Sequence, residues 1–158
     1  MTDDRTGKQY MVMAPGQASF TKSQAMCTGV GGYLPEPRDQ WENSFLGNLT
    51  SDTFYLGIRN FENSGKSWQF ETDSTDVTWR NWAVWVQSTV DSNYNGVMVN
   101  CAMMLKRYLN GTSGHKPEAW TGFHCGGPSA YGNTDMEMTV VCEKGEDKCI
   151  RLCIYIIK

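Results

Sequence analysis

Residues 81–125 read NWAVWVQSTVDSNYNGVMVNCAMMLKRYLNGTSGHKPEAWTGFHC. The stretch opens on Asn81-Trp82, passes through a polar loop from Gln87 to Gly96, enters the apolar run Val97-Met98-Val99 and reaches Cys101. After a second loop it closes on Trp120-Thr121-Gly122-Phe123-His124-Cys125. Two cysteines bracket loop-rich sequence that carries no catalytic signature. Binding residues concentrate on loops held by a rigid frame, so the stretch reads as a binding surface held by a disulfide.

Working outward, the chain has 158 residues, enough for one domain with a real core. Net charge is -3, and no basic face is present to meet nucleic acid. Sixteen glycines point to abundant turns rather than a helical bundle. The six cysteines are Cys27, Cys101, Cys125, Cys142, Cys149 and Cys153. None forms a C-x-x-C pair and only two histidines accompany them, which argues against a zinc cage. An even count of cysteines at wide spacing reads as disulfides and hence an oxidising, extracellular compartment. Asn48-Leu49-Thr50 and Asn110-Gly111-Thr112 are glycosylation sequons in keeping with a secreted glycoprotein. The start of the chain, Met1-Thr2-Asp3-Asp4-Arg5, is polar and reads as the start of a mature chain rather than a signal peptide, and no apolar run reaches membrane-spanning length.

In chain order, Lys8 to Met13 reads as a first strand, ended by Pro15-Gly16. Ser19 or Thr21 caps a helix through about Cys27, with Ala25 and Cys27 facing inward, and Gly31-Gly32 stops it. Tyr33-Leu34 reads as a short buried bridge. Asp39 caps a second helix, Gln40 to Leu49, whose Trp41, Phe45, Leu46 and Leu49 recur on one helical face. Strands follow at Phe54 to Ile58 and Trp68 to Phe70. Residues 71–96 are mostly polar and irregular, and a loop of that length is usually functional. Val97 to Leu105 reads as one buried strand, Glu118 to Phe123 as another, and Met136 to Cys142 as the last core strand. Cys149 to Ile157 follows as an extra apolar strand. Early helices followed by short strands around a long loop make an α+β order.

These residues, in this order, resemble a C-type lectin-like domain. The parts are Ala25-Met26-Cys27, Gly31-Gly32-Tyr33-Leu34, Glu42-Asn43-Ser44-Phe45-Leu46, the core motif Tyr55-Leu56-Gly57-Ile58, then Trp68, Asn81-Trp82, Cys101, Trp120 with Cys125, and Val140-Val141-Cys142-Glu143. The match covers roughly Tyr10 to Lys144. The resemblance implies one domain over 1–158 with a core at about 8–144 and a C-terminal extension at 145–158. The fold it implies has two helices flanking short antiparallel sheets and a long loop region. It also implies that Cys27 pairs with Cys142 and Cys101 with Cys125; closing the longer loop is worth about 4–5 kcal/mol in a chain-entropy treatment. Cys149 and Cys153 lie beyond the pattern and leave open a bond to each other or a disulfide-linked homodimer.

In sugar-binding members of the family, one calcium ion is held by carboxylates and amides at the long-loop end, and sugar hydroxyls complete its oxygen shell. Carried over residue by residue, the first motif aligns with Asp91-Ser92-Asn93, where two oxygen ligands survive. The glutamate position falls on Val99, and the Asn-Asp pair falls on Thr121-Gly122. An alternative cation loop, Asp91 to Gly96, resembles the start of an EF-hand, but Ala102 stands where its bidentate acid belongs. The implied site has lost most of its ligands, so no cofactor is expected, with room for weak calcium at most and no assigned metal residue. What remains is side-chain recognition. The candidate ligand-binding residues are Trp85, Asp91, Asn93, Tyr94, Asn95, Asn100, Lys116, Glu118 and His124. Flat aromatic rings stack on sugars, while amides and charged groups hold hydroxyls. Trp68, Trp82 and Trp120 are core, and methionines such as Met98, Met103 and Met104 fill it. No arrangement of nucleophile and base is visible, so an enzyme is not expected. The leading reading is a secreted lectin binding a glycan or glycoprotein with little or no calcium dependence. The alternative is a lectin-like domain that has lost sugar binding and recognises protein.

Overall fold

The computed structural model of the chain describes residues 1–16, 19–60, 67–83, 93–94, 97–98, 100–106, 118–125 and 138–145. Its elements are β1 (Gln9–Gly16), α1 (Phe20–Gly29), α2 (Gln40–Gly47), β2 (Phe54–Asn60), β3 (Trp68–Phe70), β4 (Asn93–Tyr94), β5 (Val97–Met98), β6 (Cys101–Met104), β7 (Trp120–Phe123) and β8 (Met138–Lys144). Two helices and antiparallel sheets make the α+β architecture. One sheet pairs β1 with β8, a four-stranded sheet runs β3-β2-β6-β7, and β4 pairs with β5.

β2 divides the core. Its side chains alternate, as strand geometry requires. Phe54, Leu56 and Ile58 enter one cluster with Tyr10, Leu46, Trp68, Trp120 and Val141. Tyr55 points the other way and joins Phe20, Cys27, Cys101, Met103 and Cys142. Nearly every residue of β2 is buried, so the strand is apolar almost throughout rather than on every second position. Gly57 interrupts it because the Leu34 carbonyl lies where a side chain would start, with only 2.7 Å between that oxygen and an added Cβ. Two disulfides among the described residues bind elements distant in sequence. Cys27 of α1 joins Cys142 of β8, 115 residues apart, and Cys101 joins Cys125, 24 apart.

A buried ion cluster fastens the N-terminal segment. Lys8 Nζ lies 2.9 Å from both Glu42 Oε1 and Glu143 Oε1, and the Glu143 side chain is 1% exposed. Tyr33 OH donates to Glu143 Oε1 at 3.0 Å, and the Glu36 amide donates to Glu143 Oε2 at 3.0 Å. Burial pulls the Lys8 ammonium down, but the Glu143 and Glu42 carboxylates outweigh it and hold the group above its ordinary value.

Five expectations are corrected. Ala25 is exposed; α1 buries Phe20, Ser23 and Cys27 instead. Trp41 is 68% exposed, with the Arg5 guanidinium 5.7 Å from its ring centroid. The buried face of α2 is Glu42, Asn43, Leu46 and Gly47, because Glu42 is wanted by Lys8 and Asn43 by β7; apolar spacing alone misses a face that buries polar groups with partners. α2 itself ends at Gly47, with Asn48 as its cap. Val97 to Leu105 is not one strand. β5 pairs with β4, whereas β6 pairs with β2 and β7, and the sheets separate before Asn100. Asn93 and Tyr94, within the stretch 71–96 read from the sequence as irregular, are paired strand residues whose side chains are not described. The first and last strands extend to Gly16 and Lys144, and the expected short bridge is present, with Tyr33 half-buried and paired with Glu143 and Leu34 buried. The expected strand at 149–157, with Cys149 and Cys153, lies outside the described residues.

Asp39 supplies a test of helix capping. Its carboxylate accepts from the Trp41 and Glu42 amides at 2.8 Å. Burial raises its pKa, but the Glu42 amide, the Arg5 guanidinium and the Trp41 amide outweigh this and hold it below the ordinary carboxylate value. Its contribution is therefore present above the unfolded pKa of 3.8 and is lost as pH falls through the lower folded value. Asp39→Ala should lower stability by about 1 kcal/mol at pH 7 in urea unfolding. That deficit should shrink as pH drops below 3.8. A deficit unchanged at low pH would remove the capping carboxylate from the account.

Candidate functional site

The end of the four-stranded sheet that carries the second disulfide is anchored residue by residue. Cys101 of β6 is the register partner of Phe123 of β7, and the Cys101–Cys125 bond closes just beyond it with Cα atoms 5.3 Å apart. Tyr55 OH donates to the His124 carbonyl at 2.8 Å, and the Phe20 amide donates to the Cys125 carbonyl at 2.8 Å. On the other strand the Asn60 amide donates to the Asn100 carbonyl at 2.9 Å. Asn100 and His124 therefore flank one disulfide, on backbone fixed by β2 and α1, and both are partly exposed. Further into β7, opposite Met103, Thr121 is 2% exposed and its hydroxyl donates to the Gly122 carbonyl at 3.2 Å.

The opposite end of β7 is held by a polar latch. Glu118 has a left-handed backbone, φ 68°, which few residues other than glycine adopt without cost. Its carbonyl accepts from Asn81 Nδ2 at 2.8 Å and Asn43 Nδ2 at 3.3 Å. Asn43 Oδ1 in turn accepts from Trp120 Nε1 at 2.6 Å, and the Trp120 amide donates to the Asn81 carbonyl at 2.8 Å. The Glu118 carboxyl lies against Gly47 of α2, where a side chain on residue 47 would collide with it. Lys106 Nζ donates to the Gly47 carbonyl. Trp82 and Trp79 meet the Trp120 ring edge-on, at 5.6 and 5.4 Å between centroids.

Of the residues expected to bind ligand, the structure brings Asn100 and His124 to one end of the sheet. Glu118 lies beyond the far end of β7, against α2. Asn93 and Tyr94 are placed by backbone only. Trp85, Asp91, Asn95 and Lys116 lie outside the described residues. The latch residues Asn43 and Asn81 were not singled out from the sequence as a pair. The available signal was a buried tryptophan whose indole N–H needs an acceptor, and an asparagine on an otherwise apolar helix.

The Lectin C-type domain profile matches residues 16–131. The chain belongs to the C-type lectin domain family. Solved structures agree on the fold. The cow C-type carbohydrate-recognition domain of CD23, determined with a GlcNAc2Man3 oligosaccharide, is 19% identical with a TM-score of 0.63, over 87% of this chain and 88% of that one. The human scavenger receptor C-type lectin carbohydrate-recognition domain is 16% identical with a TM-score of 0.63, over 88% and 92%. A calcium-independent type II antifreeze protein is 16% identical with a TM-score of 0.61, over 87% and 86%. No curated protein matches the sequence.

Within this C-type lectin domain, the described part of the family's calcium position does not fit the ion. Calcium takes six to eight oxygens. Gly122 offers no side chain, and the buried Thr121 hydroxyl is turned to a backbone carbonyl. Among the described residues, no group of three or more His, Cys, Asp and Glu side chains is arranged to hold a metal. The remaining positions, Asp91 and Val99, lie outside the described residues, and Asn93 is described by backbone alone.

The latch makes a direct prediction. Asn43→Ala leaves the buried Trp120 indole N–H without its acceptor and the Glu118 carbonyl with one donor fewer. It should cost about 2 kcal/mol of unfolding free energy. Denaturant midpoints measure this, and a loss below about 0.5 kcal/mol would show that the latch bonds are dispensable.

Proposed function

We propose that this C-type lectin domain is a secreted carbohydrate-binding module that recognises glycans through its long-loop end with little or no calcium dependence. The observation that carries the reading is the anchored backbone of Asn100 and His124 on either side of the Cys101–Cys125 bond. Backbone already held in place need not be ordered on binding, so weak polar contacts to sugar hydroxyls count for more. Trp85 and Tyr94 supply rings for stacking, and Asp91, Asn93 and Asn95 supply further hydrogen bonds in this reading. The glycan-bound CD23 domain and the scavenger receptor domain support carbohydrate as the ligand class. The calcium-independent antifreeze protein supports use of the fold without the metal. The lack of side-chain oxygen at Gly122 favours, as the second reading, a domain that recognises protein instead.

A glycan array probed in calcium chloride and again in EDTA tests the proposal. The expected result is binding to at least one glycan class at equal strength in both. His124→Ala and Asn100→Ala should each weaken that binding by about tenfold, the worth of one good hydrogen bond. Binding only in calcium would overturn the metal-independent part. No binding in either condition would overturn the glycan reading in favour of protein recognition.

A further inference from the structure

Five large apolar side chains are exposed among the described residues, and three of them, Met1, Met11 and Val30, line one pocket. The pocket holds about 220 Å³; Gly32 and Cys142 add to its wall, and Thr2, Gln9, Glu143 and Lys144 give it a polar share. It lies where the end of α1 meets the β1–β8 sheet. Met11 and Cys142 are cross-strand partners, and Val30 caps α1. Exposed apolar side chains gathered in one place gain by being covered.

The chain itself arrives at this rim. β8 ends at Lys144, opposite Gln9 of β1, and residues 146–158 follow. Among the described residues, the strand edges beside this point are already occupied. Returning along the outer edge of β8 is blocked, because Glu143 exchanges both backbone hydrogen bonds with Tyr33, at 2.9 and 2.7 Å. Gly32 presses on that same edge, where an added Cβ would come 2.6 Å from the Glu143 carbonyl oxygen. Further along, the Thr139 amide donates to the Thr53 carbonyl. The outer edge of β1 is closed at the same level, since Tyr10 exchanges hydrogen bonds with Met1. Lys144 itself lines the pocket, so the segment departs from its rim.

The segment that follows has the matching composition. Glu146-Asp147-Lys148 is polar, and Cys149 to Ile157 carries Ile150, Leu152, Ile154 and Ile156 at every second position. In extended form those four share one side. Residues 146–149 alone reach roughly 13 Å, enough to bring that row over the patch. We propose that residues 149–157 of the same chain lie across the pocket lined by Met1, Met11 and Val30, with Ile150, Leu152, Ile154 and Ile156 turned toward it. The C-terminal extension is then a cover for the β1–α1 face, on a different part of the molecule from Asn100 and His124.

Photo-crosslinking in the full chain tests this. Val30 is replaced by benzoylphenylalanine, and Met11 by the same residue in a second protein, each checked by far-ultraviolet circular dichroism. After irradiation, the expected product is a monomer in which position 30 or 11 is joined to a residue between 150 and 157. Leu152→Asp with Ile154→Asp should cut the yield about fivefold by placing charge against the apolar wall. A covalent dimer joined through the same peptide would assign the segment to a second copy and overturn the proposal. Crosslinks elsewhere, or none from either position, would overturn it as well.

Discussion

The burial of Trp120 is the constraint on which the rest of the structure depends. The side chain is 0% exposed. Its indole N–H cannot be left without an acceptor at that depth, and Asn43 of α2 supplies one. Its ring meets Trp82 and Trp79, which brings the segment before the long loop against β7. Its backbone is bonded on both sides to that segment, from the Trp120 amide to the Asn81 carbonyl and from the Ala83 amide to the Trp120 carbonyl. One residue thus ties a helix, an irregular segment and a strand. The left-handed turn at Glu118 is tolerated because two asparagine amides converge on its carbonyl.

The other end of β7 depends on a different kind of constraint. There the chain is held by a covalent bond and by hydrogen bonds from Tyr55 and Phe20 to consecutive carbonyls. Because Tyr55 of the central strand and Phe20 at the start of α1 belong to one core cluster, that cluster bears directly on the loop end. A ligand meeting Asn100 and His124 meets backbone that is already ordered, whereas the family's metal route would require oxygens that Thr121 and Gly122 do not present.

Much of the fold was legible in the residues. The apolar run Phe54 to Ile58, the caps at Ser19 and Asp39, and the spaced cysteines each act through local chemistry that sequence displays. The family resemblance supplied the disulfide pairing, and the structure contains both bonds. The misreadings share a cause. On α2 the inward face is chosen by partners distant in sequence, Lys8 for Glu42 and Trp120 for Asn43, so Trp41 is displaced outward. At Val97 to Leu105 a continuous apolar pattern conceals a change of pairing partner, which no periodicity reports. At the candidate site the residue types were visible, but their grouping was not: Glu118 and His124 are near in sequence yet lie at opposite ends of β7.

The central claim is that this loop end is a prearranged protein surface rather than a metal site. Amide signals of Thr121, Gly122, Phe123 and His124 in a nitrogen-15 correlation spectrum, followed while calcium chloride is added, test it most directly. The account predicts that these signals stay in place up to about 10 mM, beyond the ~1 mM range in which extracellular calcium modules are occupied. Saturable shifts of the Thr121 and Gly122 signals below that concentration would contradict it.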